Sequence, residues 1–224
     1  MELFFIFFGF GVFVIIGIAY SIYANKKRRQ GMIAAAQQFG LSYSDTKSAA
    51  MNAAYPFITL FQKGHSRTAK NVLRGNMDKF AMELFDYRYT EGSGKNSSTH
   101  WNSVCILTVP EQKFKYILLR TEGFFDKVAG VFGYGDIQFE SEEFNRRYYI
   151  KGDKEFALEF LSAEVREYLL ARTKTPCMEM AGNALVFYFP RLIKPEEYAD
   201  LCIYALEFYK TIPETVLAKY KSAV

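Results

Sequence analysis

Phe80-Ala-Met-Glu-Leu-Phe-Asp-Tyr-Arg-Tyr89 and Trp101-Asn-Ser-Val-Cys-Ile-Leu-Thr-Val109, with the turn-rich Glu91-Gly-Ser-Gly-Lys95 between them, decide the fold of this 224-residue chain. Phe80, Met82 and Leu84 alternate along the first run, and Val104, Ile106 and Thr108 along the second. Successive strand side chains point to opposite faces, so this period of two marks strands with one buried face. Working outward, Phe57 to Gln62, Lys70 to Arg74 and Lys115 to Arg120 give further strand signals. Gly, Asn, Ser and Pro separate them at short intervals, which predicts hairpins and an antiparallel sheet. No strand–helix–strand rhythm of about 30 residues runs through this half, which argues against a doubly wound parallel sheet.

The second half mixes elements. Gly123 to Phe132 predicts a short apolar helix, Phe144 to Ile150 a strand, and Lys154 to Leu170 two short helices, the second capped by Ser162. Met178 to Met180 and Leu185 to Phe189 predict a hairpin around Gly182-Asn183. The last helix starts at Pro195, with Glu196 and Glu197 in its first turn. Its stripe of Tyr198, Leu201, Ala205, Phe208 and Ile212 recurs at helical spacing and would pack on the sheet. The fold class is α+β: an N-terminal transmembrane helix, then an antiparallel sheet with helices packed on one face.

The N-terminal expectation rests on Leu3 to Asn25, a run without a charged side chain. At about 1.5 Å per residue such a helix would cross a hydrocarbon core of about 30 Å. Glu2 precedes the run in place of a basic leader, and Lys26, Lys27, Arg28 and Arg29 close it. The pattern therefore predicts a retained anchor rather than a cleaved signal peptide. The positive-inside rule would put the N-terminus outside the cell and the domain in the cytoplasm, as a single-pass protein of the inner membrane. The resulting division is residues 1–25 as anchor, 26–54 as basic juxtamembrane segment and linker, and 55–224 as the α+β domain. Gln30 to Phe39 is helix-forming and stops at Gly40, a natural residue just past a helix end. Gly17, Ser21 and Ala24 share one stripe of the first helix, where small side chains let another helix approach closely; weak self-association, or docking to a partner helix, is the expectation.

Four of the 28 cations but only one of the 24 acids lie in the first 29 residues, so the remainder is nearly neutral. A nearly neutral body without a basic stripe argues against a nucleic-acid partner. Membrane lipids and a protein partner are expected instead. Cys105, Cys177 and Cys202 are scattered and odd in number, which suits a reducing compartment and gives no metal or disulfide framework.

No catalytic, cofactor-binding or metal-binding residue stands out. Gly92-Ser-Gly-Lys95 lacks the glycine spacing and the following Ser/Thr of a phosphate loop and is better read as a hairpin tip. Gly130 to Asp136 follows an apolar segment instead of a strand, so as a nucleotide fingerprint it is weak. Phe124, Phe125 and Phe132 could touch lipid or a small ligand, although core packing is the preferred account. Asp136, Glu140, Glu142 and Glu143 form an acidic loop best explained by local ion pairs. His65 and His100 lie in turn-like surroundings, and residues 100 and 105, five apart on a strand, would face opposite ways.

Asn71-Val-Leu-Arg-Gly75, Leu84-Phe-Asp-Tyr-Arg-Tyr89, Gly92-Ser-Gly-Lys95 and Phe139 to Tyr148, in this order, resemble a family of uncharacterised bacterial single-pass membrane-anchored proteins. The resemblance runs from about Ala35 to the last helix and carries no activity or site residue with it. The functional expectation is a membrane-tethered interaction or accessory module at the cytoplasmic face. The alternatives are a lipid- or small-ligand-binding domain and a membrane-bound hydrolase or transferase.

Overall fold

The alternating runs form the centre of one antiparallel sheet. The computed structural model describes residues 2–121 and 137–222. Its strands are β1 (Ser42–Ser44), β2 (His65–Met77), β3 (Phe80–Glu91), β4 (Ser98–Thr108), β5 (Phe114–Thr121), β6 (Tyr148–Gly152), β7 (Cys177–Gly182) and β8 (Ala184–Phe189). They lie in the order β1-β2-β3-β4-β8-β7-β5-β6 and every pair is antiparallel. The helices are α1 (Glu2–Gln38), α2 (Met51–Ala54), α3 (Glu142–Arg147), α4 (Lys154–Phe160), α5 (Ala163–Leu170), α6 (Glu197–Lys210) and α7 (Glu214–Lys219). Strands from the two halves of the chain thus meet in the middle of the sheet, where β4 pairs with β8 from Ser103↔Phe189 to Thr108↔Ala184.

Phe80, Met82 and Leu84 point into the larger core with Leu185 and Phe187, and α3 to α7 cover that face. The predicted α6 stripe is there: Tyr198, Leu201, Ala205 and Phe208 are buried. Ser162 caps α5 by accepting from the Val165 amide, as expected. The opposite face is also covered at its centre, which one-sided alternation did not anticipate. Met51, Ile58, Leu60 and Phe61 pack there on Phe85, Tyr87, Val104 and Val186. Central strands buried on both sides read as continuous apolar runs, and β4 from Val104 to Leu107 is such a run.

Two predicted elements change type. Thr59–Gln62 is a 3-10 turn, not a strand. Glu142–Arg147 is a helix capped by Ser141, and the strand starts only at Tyr148. The predicted helix from Gly123 to Phe132, and with it Phe124, Phe125 and Phe132, lies outside the described residues, as does Asp136.

The anchor is corrected. Among the described residues no helix is long and apolar enough to cross a membrane. The inner-membrane localisation and the N-terminus-outside orientation fall with it. The helix does not stop at the basic quartet but runs on to Gln38, and Gly40 closes it at φ +65° with Leu41 N–H donating to Ala36 O at 2.8 Å.

Candidate functional site

The two parts of α1 have different surroundings. From Gly31 onward one face packs on the domain: Met32, Ala35 and Ala36 are buried at helical spacing. A Cβ on Gly31 would lie 2.7 Å from Pro195, so only glycine permits this approach. From Phe10 to Tyr23, by contrast, the described large apolar side chains are all exposed; Phe13 is 75% and Tyr20 72% accessible. Gly17, Ser21 and Ala24 lie in this part, and nothing stands within 4 Å of a Cβ placed on Gly17.

Arg28 marks the transition. Its Nε donates to Asp86 Oδ2 at 2.7 Å and its Nη2 to Oδ1 at 2.5 Å, a two-pronged pair, while Nη1 donates to Ile193 O at 2.7 Å. Asp86 stands on β3 with a side chain only 2% exposed. Asn71 Nδ2 donates to its Oδ2 at 2.8 Å and Tyr198 OH to its Oδ1 at 2.8 Å. Asn71 reaches Asp86 because β2 bulges between Lys70 and Leu73 and the residue takes φ +51°, a left-handed conformation that Asn tolerates better than most side chains. Tyr43 OH donates to Asn71 Oδ1 at 2.9 Å and draws the chain around β1 into the same network.

Burial pulls the Arg28 guanidinium down, but hydrogen bonding to and the charge of Asp86 outweigh it and raise its pKa. Burial, then Asp86, pushes the Tyr198 hydroxyl well above its ordinary range, so it stays a neutral donor. Four donors saturate the carboxylate, which leaves no acceptor for a substrate proton. The cluster is therefore a latch tying α1 to β2, β3 and α6, not an acid–base site. Of the basic quartet, Arg28 belongs to this latch and Arg29 lies 3.3 Å from Asp45, while Lys26 and Lys27 are exposed.

A second buried carboxylate, Glu179 on β7, holds the opposite face. Its Oε2 accepts from Thr59 N at 2.6 Å and Thr59 Oγ1 at 2.7 Å, and its Oε1 from Leu60 N at 3.1 Å and Tyr188 OH at 3.3 Å. Burial raises its pKa against the opposing pull of the Thr59 and Leu60 donors. It pins the 3-10 turn to the sheet.

The other sequence candidates are scattered. Gly94–Asn96 forms a short exposed turn between β3 and β4, as the hairpin-tip reading expected. Glu142 and Glu143 occupy the first turn of α3, and Asn145 brackets Phe139 through its N–H at 2.9 Å and its C=O at 2.7 Å. His65 bonds Gly92 O, and His100 stacks on Tyr89 and contacts Glu91 at 3.1 Å. Among the described residues no group of three or more His, Cys, Asp or Glu could hold a metal ion.

Two of the open clefts among the described residues carry polar and cationic side chains. One of about 450 Å³ lies between the segment after α5 and α6, lined by Arg172, Lys174, Phe189, Asp200 and Tyr204 among others. Arg172 is already engaged there, 2.7 Å from Glu207 and stacked on Tyr168. The other, of about 480 Å³, lies where β4 outruns β8, lined by Tyr89, Thr99, Trp101, Asn102, Arg191 and Leu192 among others. Sequence reasoning missed Asp86, Asn71 and Glu179 because nothing in a local window sets a buried acid or bulged amide apart from an exposed one.

The fold defines an α+β protein built on a single antiparallel sheet. No family model matches the chain, and no curated protein matches it. Among solved structures, it is similar to the crystal structure of the mycobacterial trehalose monomycolate transport factor A, TtfA, with a TM-score of 0.57 and 15% identity over 84% of this chain and 95% of that one. At that identity the likeness is one of fold.

Proposed function

We propose that this chain is an interaction or accessory module that acts by binding a partner protein through the exposed half of α1. The observation that carries this is the apolar surface from Phe10 to Tyr23, held out from the domain by the Arg28–Asp86 latch. A contiguous apolar surface of this size stays in water only at a cost, and burial against a partner removes that cost. The saturated carboxylate of the latch favours binding over catalysis. The fold neighbour is a transport factor, and an accessory role of that general kind suits a domain whose described residues converge on no catalytic constellation. A second copy of the chain, meeting through Gly17, Ser21 and Ala24, is the most specific version of the proposal.

Co-purification of the tagged full chain from its native cells tests this. A defined partner should be recovered in stoichiometric amount with the wild type and lost with Phe13→Ser/Ile16→Ser. The same partner recovered equally with both would overturn the role of α1.

A further inference from the structure

The ladder between β3 and β4 continues down to Glu91↔Ser98, but β8 pairs with β4 only as far as Ser103. Ser103 N–H points to the β8 side, donating to Arg191 O at 3.1 Å. Backbone groups alternate sides along a strand, so the N–H and C=O of Thr99 and Trp101 point the same way, where no strand follows. Beyond the strand ladders, neither residue has a backbone hydrogen bond among the described residues. Such an open edge is a template for strand addition.

Two further observations mark this edge as a binding site. Asn102, 2% exposed, lines the cleft beside it, and its Nδ2 has no hydrogen-bond partner. A buried amide donor without an acceptor is rare and costly. The surroundings are also cationic: Lys70 Nζ stands 4.5 Å and the Arg88 guanidinium 5.9 Å from the centre of the Trp101 ring, and Arg191 lines the same cleft. None of the three is in a salt bridge among the described residues. Burial and then Arg88 lower the Lys70 pKa, as expected where cations crowd without a counter-charge close enough to offset them. Lys70 over the Trp101 ring also leaves that face poorly suited to stacking a nucleic-acid base.

We propose that the open edge of β4 at Ser98–Asn102 docks an extended acidic segment of another protein, which adds as a strand and directs its carboxylates to Lys70, Arg88 and Arg191. Backbone bonds to Thr99 and Trp101 supply the register, and the opposite side chains of the added strand offer an acceptor to Asn102. This inference is independent of the role of α1.

Trp101 is the sole tryptophan, so its fluorescence reports on the site directly. The full chain would be titrated with a capped six-residue peptide of alternating Glu and Thr. The expected result is a saturable change in emission, about tenfold weaker for Arg191→Glu and absent for a peptide with Lys in place of Glu. Amide exchange at Thr99 and Trp101 should slow on binding. Three results would each overturn the proposal: no saturable change with the acidic peptide, equal affinity for a peptide N-methylated on its edge-facing amides, or the same response to inorganic phosphate or to a short single-stranded oligonucleotide.

Discussion

The two halves of α1 belong to one unbroken helix, yet one is part of the domain and the other only extends from it. Beyond Gly31 the small residues Ala35 and Ala36 and the flexible Met32 let the helix lie close to the sheet. From Phe10 to Tyr23 the helix carries Phe, Ile and Tyr around its circumference, and no described side chain of the domain covers them. Helical structure and apolar character together therefore do not determine burial. What determines it is whether one face is small enough, and one polar residue well enough partnered, to dock.

The sharpest way to break this contrast is at the latch. Asp86→Ala leaves Arg28, Asn71 and Tyr198 without their common acceptor, and removing one member of a buried ion pair costs about 3–5 kcal/mol. Urea denaturation should show that loss, and amide exchange at Met32 to Ala36 should accelerate; a loss below about 1 kcal/mol would mean the latch does not hold α1. Gly31→Leu acts on packing instead, because the added side chain meets Pro195. A destabilisation of about 1–3 kcal/mol is expected by the same assay, as for other overpacked contacts.

Glu179 sharpens the contrast by testing a segment held by a carboxylate alone. Its folded pKa is raised above the ordinary 4.5, so the folded state takes up its proton at a higher pH than the unfolded state does. Its contribution is therefore fully present below about 4.5 and is lost as pH rises through the folded value. Relative to Glu179→Gln, which does not titrate, the wild type should gain stability as pH falls through this window. A constant difference between the two proteins across that range would contradict the assignment. The smallest effect belongs to the exposed half: Phe13→Ser should change unfolding free energy by no more than about 0.5 kcal/mol, since nothing in the domain touches that side chain.

The parts of the fold set by local chemistry were legible in the sequence. Alternation at Phe80, Met82 and Leu84, the stripe of α6, the Ser162 cap, the Gly40 stop and the turn at Gly182-Asn183 each follow from a short window. The parts set by distant partners were not. Asp86 is buried because Arg28 lies 58 positions before it and Tyr198 112 after it, and only the folded chain brings these together. Thr59–Gln62 carries strand-forming residues but turns because Glu179, 120 positions away from Thr59, receives its amides. The anchor expectation treated Lys26 to Arg29 as one flank, whereas the structure gives Arg28 and Arg29 partners inside the domain.

The central claim is that the exposed half of α1 is where this protein meets its partner. A photo-crosslinking amino acid placed at Tyr20 in the otherwise unaltered full chain, in native cells, tests it most directly, with Lys95 at the tip of the β3–β4 hairpin as the comparison position. The account predicts one defined protein adduct from Tyr20, lost when Phe13→Ser/Ile16→Ser is added, and none from Lys95. Adducts to lipid alone, or the same adducts from both positions, would contradict it.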